Sequence, residues 1–214
     1  MLKRFIFDLD GTLLDSDFSE SEKYLKEVLG KDYERFHGSL QTYLDKYERT
    51  ERRYEVDKLC HYLTREMGIR ITPEILNNWL DANTNGNNTP KYGVVEALDE
   101  LKRDGKSLVV LTNWFSREQI PRLDKAGIID YFDEIITGDI ALKPHKESYM
   151  IAKGKFAPSE CVVIGDNLDF DYVKPKSLGM HSVLIDEGDV YHHTISKVKN
   201  LRKLKKTLGG IYGE

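Results

Sequence analysis

Short runs of consecutive apolar residues recur along the chain, separated by longer segments in which apolar positions return every three or four residues. The runs are Arg4 to Leu9, Ser107 to Leu111, Glu134 to Thr137, Cys161 to Ile164 and His181 to Ile185, and they read as strands buried on both faces. Between them, Val94, Val95, Leu98 and Leu101 precede Gly105; Ile120, Leu123 and Ala126 precede Gly127; Tyr149, Met150 and Ala152 follow Pro144. Each set has the spacing of one helix face. Strands that alternate with helices predict an α/β fold built on a parallel sheet.

The stretch from about Phe18 to Asn88 departs from this alternation. Its apolar residues fall into helical stripes: Tyr24, Leu25, Val28 and Leu29; then Leu59, Tyr62, Leu63 and Met67 before Gly68; then Ile75, Leu76, Trp79 and Leu80 after Pro73, a residue suited to a first helical turn. The expectation is an all-helical insert over 18–88, with the polar run Asn83 to Pro90 as a hinge back to the sheet. The sheet unit then takes residues 1–17 and 89–214. A last helix is expected with Ile195, Val198, Leu201, Leu204 and Leu208 on one face and many lysines on the other. Its basic face could meet a membrane or an acidic partner, but a solvated helix docked by its apolar stripe is the stronger reading.

Composition changes this picture little. With 40% hydrophobic and 32% charged residues, the 214-residue chain has ample material for a core. Its 32 Lys and Arg against 36 Asp and Glu leave a net charge of −4, which gives no electrostatic ground for nucleic acid or an anionic membrane as partner. Affinity for phosphate has to be local. Cys60 and Cys161 lie far apart and Cys161 opens a strand run, so a buried thiol and a cytoplasmic setting are expected. Asp8 cuts the first apolar run too early for a signal peptide, and no run approaches a membrane span. No motif sets the oligomeric state, monomer or dimer.

In open parallel sheets ligands bind beyond the carboxyl ends of the strands, so the residues just after each run carry the functional reading. Asp8-Leu9-Asp10-Gly11-Thr12 ends the first run and Thr112-Asn113 follows the second. Lys143-Pro144 comes soon after the third, and Gly165-Asp166-Asn167-Leu168-Asp169-Phe170-Asp171 follows the fourth. Alone, Asp-x-Asp is as well explained by a helix cap, Lys143 by an exposed lysine before a turn and Thr112 by a strand end. The agreement of all four points to phosphate chemistry. Carboxylates crowded at one sheet edge repel one another, and a hard cation is the usual compensation. With oxygen donors and no Cys or His cluster, that cation is Mg²⁺ rather than Zn²⁺.

These motifs resemble, in kind and order, those of the haloacid dehalogenase superfamily: Asp-x-Asp-x-Thr, a Ser or Thr after the second strand, a Lys often followed by Pro, and Gly-Asp-x-x-x-x-Asp. The similarity covers nearly the whole chain, and it is to the phosphatase and β-phosphoglucomutase-like members whose helical cap is inserted soon after the first strand. Departures lie at Lys174-Pro175, where a small Gly-Ala pair is frequent, and at Lys146, where a second Pro is. The resemblance implies a Rossmann-like parallel sheet with helices on both faces and a helical cap domain. It implies an aspartyl-phosphate on Asp8, general acid/base work by Asp10, and a phosphoryl cradle from Thr112, the Asn113 amide and Lys143. Mg²⁺ would be held by the Asp8 carboxylate, the Asp10 backbone carbonyl, Asp166 and Asp171. Branches that displace halide or cleave carbon–phosphorus bonds typically lack a carboxylate at the Asp10 position, so its presence favours phosphate ester cleavage. The cap type suits a small phosphorylated metabolite.

A phosphomutase has a similar layout and differs in returning the phosphoryl group to its substrate. A receiver-like signalling module shares the Asp, Mg²⁺, Thr and Lys-Pro but neither their order nor the insert. An inactive binding relative is disfavoured by the intact set of six side chains. No Gly-x-Gly-x-x-Gly follows the first strand, which argues against a dinucleotide-binding enzyme. Within the insert, Arg49, Arg52 and Arg53 could meet a second anionic group on a substrate, although a solvated face shared with Glu48, Glu51 and Glu55 is the stronger reading. For Tyr47, Trp114 and Phe115, packing is likewise the stronger reading than stacking on a substrate ring.

Overall fold

In the computed structural model, which describes residues 1–212, the chain opens with β1 (Arg4–Phe7) and the short β2 (Leu14–Ser16). Four helices follow, α1 (Ser19–Leu29), α2 (Tyr33–Thr50), α3 (Val56–Met67) and α4 (Pro73–Asn85). Then β3 (Asn88–Pro90) pairs antiparallel with β2. The chain next alternates through α5 (Val94–Arg103), β4 (Ser107–Leu111), α6 (Ser116–Lys125), β5 (Glu134–Ile136), α7 (Lys146–Lys153) and β6 (Cys161–Gly165). It continues through the short α8 (Lys174–Ser177), β7 (His181–Ile185) and β8 (Lys197–Val198) to α9 (Leu204–Tyr212).

The main sheet runs β5-β4-β1-β6-β7-β8, and every neighbouring pair in it is parallel. All five apolar runs form strands of this sheet. Successive side chains of β1 point to opposite faces, and both faces are covered. Phe5 and Phe7 pack with Leu98 and Leu101 of α5 and Leu204 of α9, while Ile6 packs with Tyr149 and Ala152 of α7. Burying a side chain of this size contributes about 2 kcal/mol relative to exposure. The α/β expectation, a Rossmann-like core with helices on both faces, is met.

The helices of residues 19–85 have their own core, in which Leu25, Phe36, Leu63, Trp79 and Leu80 meet Phe115 and Leu142 of the sheet unit. Local signals set their ends. Gly68 closes α3 in the left-handed region at φ 66°, and Thr72 Oγ1 accepts from Ile75 N at 3.3 Å to cap α4 ahead of Pro73. Tyr54 lies 5.9 Å from Tyr47, 5.5 Å from Trp114 and 5.6 Å from Phe115, ring centre to ring centre, so these aromatics pack on one another.

Within the expected hinge Asn83 to Pro90, α4 runs to Asn85, and Asn88 to Pro90 form a strand whose buried Asn88 donates to Gly86 O at 3.2 Å. One local expectation is corrected. Val198 does not belong to a terminal helix. Leu184 N donates to Ser196 O at 2.9 Å and Asp186 N to Val198 O at 2.8 Å, so this segment extends the sheet edge beside β7, and α9 begins only at Leu204. Among the described residues, no helix is long and apolar enough to cross a membrane.

Candidate active site

Phe7 pairs with Val110 on one side and Ile164 on the other, so three neighbouring strands end at one level. Asp8, Thr112 and Asp166 therefore leave the sheet side by side. The chain builds outward from β1 to β4 and β5, then returns to β6 on the other flank of β1, which opens a crevice at this edge.

Lys143 bridges two carboxylates there. Its Nζ donates at 2.7 Å to Asp8 Oδ1 and at 2.7 Å to Asp171 Oδ1, and all three residues are buried. Asp166 stands at the exposed rim, and carboxylate oxygens of Asp8, Asp166 and Asp171 lie within 4.8 Å of one another. A cavity of about 230 Å³ lies over this cluster and reaches Thr112 and Asn113. One ammonium cannot balance three carboxylates. Burial pushes the Asp8 carboxyl up to about 8, against the pull of Lys143 and with added repulsion from Asp171 and Asp166. Burial also disfavours the Lys143 charge, but Asp171 and Asp8 outweigh it and hold Lys143 above the ordinary lysine range. Converging carboxylates with a surplus of negative charge and oxygen donors alone fit Mg²⁺.

A pH dependence follows. A cation can bind only as the proton leaves Asp8, so Mg²⁺ affinity is expected to climb from pH 6 to about 8 and then level off. Calorimetry in buffers of different ionisation enthalpy should show protons released on binding below that plateau. Equal affinity at pH 6 and 8 would mean that Asp8 is already ionised.

The surrounding loops fix these groups. Asn113 Nδ2 donates to Lys143 O at 3.0 Å while its Oδ1 accepts from Lys143 N at 2.9 Å, which ties the loop after β4 to the one carrying the lysine. Thr112 Oγ1 donates to Asn113 O at 3.1 Å and accepts from Gln119 Nε2 at 3.2 Å. After β6 the chain makes one π-helical turn, Leu168–Val173, capped by Asn167, and Asn167 N donates to Asp171 Oδ2 at 3.1 Å. That turn brings Asp171 back under the strand end.

Two glycines permit this crowding. Gly11 has φ +74°, and a Cβ there would fall 2.1 Å from Asp166 Oδ2; a Cβ on Gly165 would fall 2.3 Å from Asp171 Cγ. In Gly11→Ala the Asp166 carboxylate has to move. Mg²⁺ affinity is expected to drop about 10- to 100-fold, by analogy with disturbed ligand-supporting groups. An unchanged titration curve for this variant would show slack in the loop.

Asp10 shares the loop but not the cluster. Its carboxylate turns toward α6, where Arg122 Nη2 donates to Oδ1, Arg122 Nη1 to Oδ2 at 3.3 Å and Gln119 Nε2 to Oδ2 at 3.0 Å. Ser16 Oγ adds a bond to Oδ1 at 3.3 Å. Of the four residues assigned to the metal, three converge by their carboxylates; the resemblance assigns Asp10 through its backbone carbonyl.

Arg122 escapes the sequence reading. It is fully buried and its guanidinium also reaches Asn88 Oδ1 at 2.8 Å, Glu118 Oε1 at 3.2 Å, Gln119 Oε1 at 2.6 Å and the Ser16 hydroxyl. The apolar spacing puts Ile120 beside Leu123 on the inner face of α6. Leu123 is buried, but Ile120 is 38% exposed, because Glu118, Gln119 and Arg122 take the inner positions. The available signal is the Glu118 and Arg122 pair at i,i+4.

None of Arg49, Arg52 and Arg53 lines the cavity over the carboxylate cluster. Arg49 approaches Asp169 at 3.9 Å, Arg52 pairs with Glu147 at 3.0 Å and Arg53 with Glu55 at 3.6 Å, all on the surface. Such pairs are worth little. Glu48, rather than any of them, lines the cavity over the cluster.

The family model of haloacid dehalogenase-like hydrolases matches residues 2–173. The chain is similar to a phosphoglycolate phosphatase of Nitrosococcus oceani, with 29% identity over 204 residues, 91% of this chain and 89% of that protein. It is 33% identical over 131 residues to a glyceraldehyde 3-phosphate phosphatase of Methanocaldococcus jannaschii, 56% of this chain. That match spans 58% of the relative, little more than half its length. Among solved structures, a HAD phosphatase from Thermococcus onnurineus superposes with a TM-score of 0.68 at 26% identity, covering 98% of this chain and 99% of that one.

Proposed function

Because the chain belongs to the haloacid dehalogenase-like hydrolase family, we propose that it hydrolyses a small phosphate monoester through an aspartyl-phosphate formed on Asp8. It is an enzyme of the phosphatase kind. The observation that carries the reading is the buried Asp8–Lys143–Asp171 array beside Asp166 at the strand ends, a nucleophile held next to a fixed positive charge.

Asp8, Asp166, Asp171 and the Asp10 carbonyl would hold Mg²⁺, which would supply the charge compensation that lets an anionic ester approach an anionic carboxylate. Asp8 forms a new bond to phosphorus as the bond to the ester oxygen breaks, and Asp10 gives its proton to that oxygen. Water then attacks phosphorus and passes its proton to Asp10, and the bond to Asp8 breaks to release inorganic phosphate. Lys143, the Thr112 hydroxyl and the Asn113 amide hold the phosphoryl oxygens as charge spreads over them. Residues 18–88 serve as a cap that limits water over the site. The free, buried Cys60 and Cys161 suit a reducing cytoplasm.

The purified protein should release phosphate from p-nitrophenyl phosphate with Mg²⁺ and stop when the cation is chelated. Silence toward this ester, phosphoglycolate and glyceraldehyde 3-phosphate alike would count against the reading. An isomerised sugar phosphate without free phosphate would make the protein a mutase.

A further inference from the structure

A second cavity, of about 350 Å³, shares Asp10 with the one over the carboxylate cluster and lies between α1, α2, α4 and the sheet unit. Its walls are apolar, made by Phe18, Leu40, Leu44, Trp79 and Trp114. Its charged lining groups are all carboxylates, Asp10, Glu22 and Glu118, with no lysine or arginine among them. The Arg122 guanidinium lies 5.1 Å from the Phe18 ring centre, and its nitrogens are engaged by Asp10, Ser16, Asn88, Glu118 and Gln119. Two buried polar atoms of lining residues have no hydrogen-bond partner, His37 Nε2 and Asn83 Oδ1.

Resting on the reading of Asp8 and Asp10 as the phosphoryl-transfer pair, we propose that this cavity receives the leaving group. It selects esters of uncharged or cationic alcohols with an apolar ring or chain, and rejects leaving groups that carry a carboxylate. Asp10 is the link: it lines both cavities, and in the proposed mechanism it is the group that protonates the ester oxygen. A carboxylate in the second cavity would lose its water among apolar walls, find the nearby Arg122 guanidinium already engaged by its own partners, and face the Asp10 carboxylate. An apolar ring instead gains by burial against Trp79 and Trp114. The volume lies at the lower end of the roughly 300–1,000 Å³ of small-molecule sites. Phosphoglycolate, whose leaving group is itself a carboxylate, is then a poor substrate for this chain.

The test compares benzyl phosphate with 4-carboxybenzyl phosphate, which differ by one carboxylate far from phosphorus, together with phosphoglycolate, all with Mg²⁺. The expected result is a kcat/KM at least about tenfold higher for the benzyl ester, the scale on which pockets discriminate by one group. In Leu44→Lys, a change at a half-buried wall position, that ratio should shrink or invert; as a ratio within one preparation, it does not depend on the folded fraction. Equal or better turnover of either carboxylated ester, or an unchanged ratio in Leu44→Lys, overturns the proposal and leaves the phosphatase reading intact. A folded protein that turns over none of the esters overturns the phosphatase reading and this proposal with it.

Discussion

Asp8→Asn is expected to fold and to release no measurable phosphate. Loss of the attacking group in enzymes with covalent intermediates lowers turnover on the order of a millionfold. The exchange keeps the shape and hydrogen-bonding reach of the side chain, so Asn can still accept from Lys143 Nζ, but it cannot form the acyl phosphate. Stability should move the other way. The Asp8 carboxyl sits up to about 8 in the folded chain against 3.8 ordinarily, chiefly through burial. For a carboxyl raised on folding, the protonated form is favoured, so stability is full below the ordinary value and is lost as pH rises toward 8. Asn carries no such charge. With the cation chelated, the variant should therefore be at least as stable as the parent at pH 8, and the two should converge near pH 4. Urea unfolding at the two pH values reads this out beside the phosphate assay. Residual Mg²⁺-dependent turnover in a homogeneous preparation would remove Asp8 from its role.

The parts of this structure that the sequence makes legible are those written locally. β1, β4, β5, β6 and β7 each carry two to four consecutive apolar residues, with polar ones only at their ends, because a parallel strand covered on both faces has little polar side to show. The residues that gather at the sheet edge are legible for a related reason. Each follows its strand directly or by a short loop, so naming the strand ends names Asp8, Thr112 and Asp166, and the Gly165 to Asp171 motif brings in Asp171. What stays hidden depends on partners distant in sequence. Strands β2, β3 and β8 have two or three residues each, too few for any periodicity, and exist through pairing with β7 or with each other. Asn88 reads as part of a polar connection because its burial is made acceptable by the Arg122 guanidinium, 34 residues later. Ile120 is misplaced for the same reason: on α6 a hydrogen-bonded polar network occupies the face that apolar spacing assigns to the core. The cavity between α1, α2, α4 and the sheet unit is also invisible in one dimension, since its walls come from five separate segments.

Arg122→Met should destabilise the protein strongly, and by an amount that grows with pH. The side chain is enclosed, with Glu118 equally buried beside it and the half-exposed Asp10 carboxylate on its other side. Removing one member of a buried ion pair typically costs about 3–5 kcal/mol, because the remaining charge has lost its water and its partner. Glu118 has an escape. Burial already pushes it up to about 7 from 4.5, against the hydrogen bond from Asn83 and the charge of Arg122, and removing the arginine pushes it higher. A raised carboxyl is comfortable when protonated, so the part of the deficit that comes from Glu118 should be small near pH 5 and should grow above about pH 7, where the parent's arginine holds Glu118 ionised and the variant pays to keep it protonated. Arg122→Lys keeps the charge but loses the planar fork that reaches Asn88 and Ser16 together with Asp10, and should fall between. Turnover separates this from a merely structural loss. Arg122 acts as a positioning residue for Asp10, so in the fraction that remains folded at pH 6 kcat should fall more than KM changes, with the pH optimum displaced. A Met variant whose urea midpoint matches the parent at pH 8, or whose deficit is the same at pH 5, would show that Glu118 and Asp10 do not depend on this guanidinium.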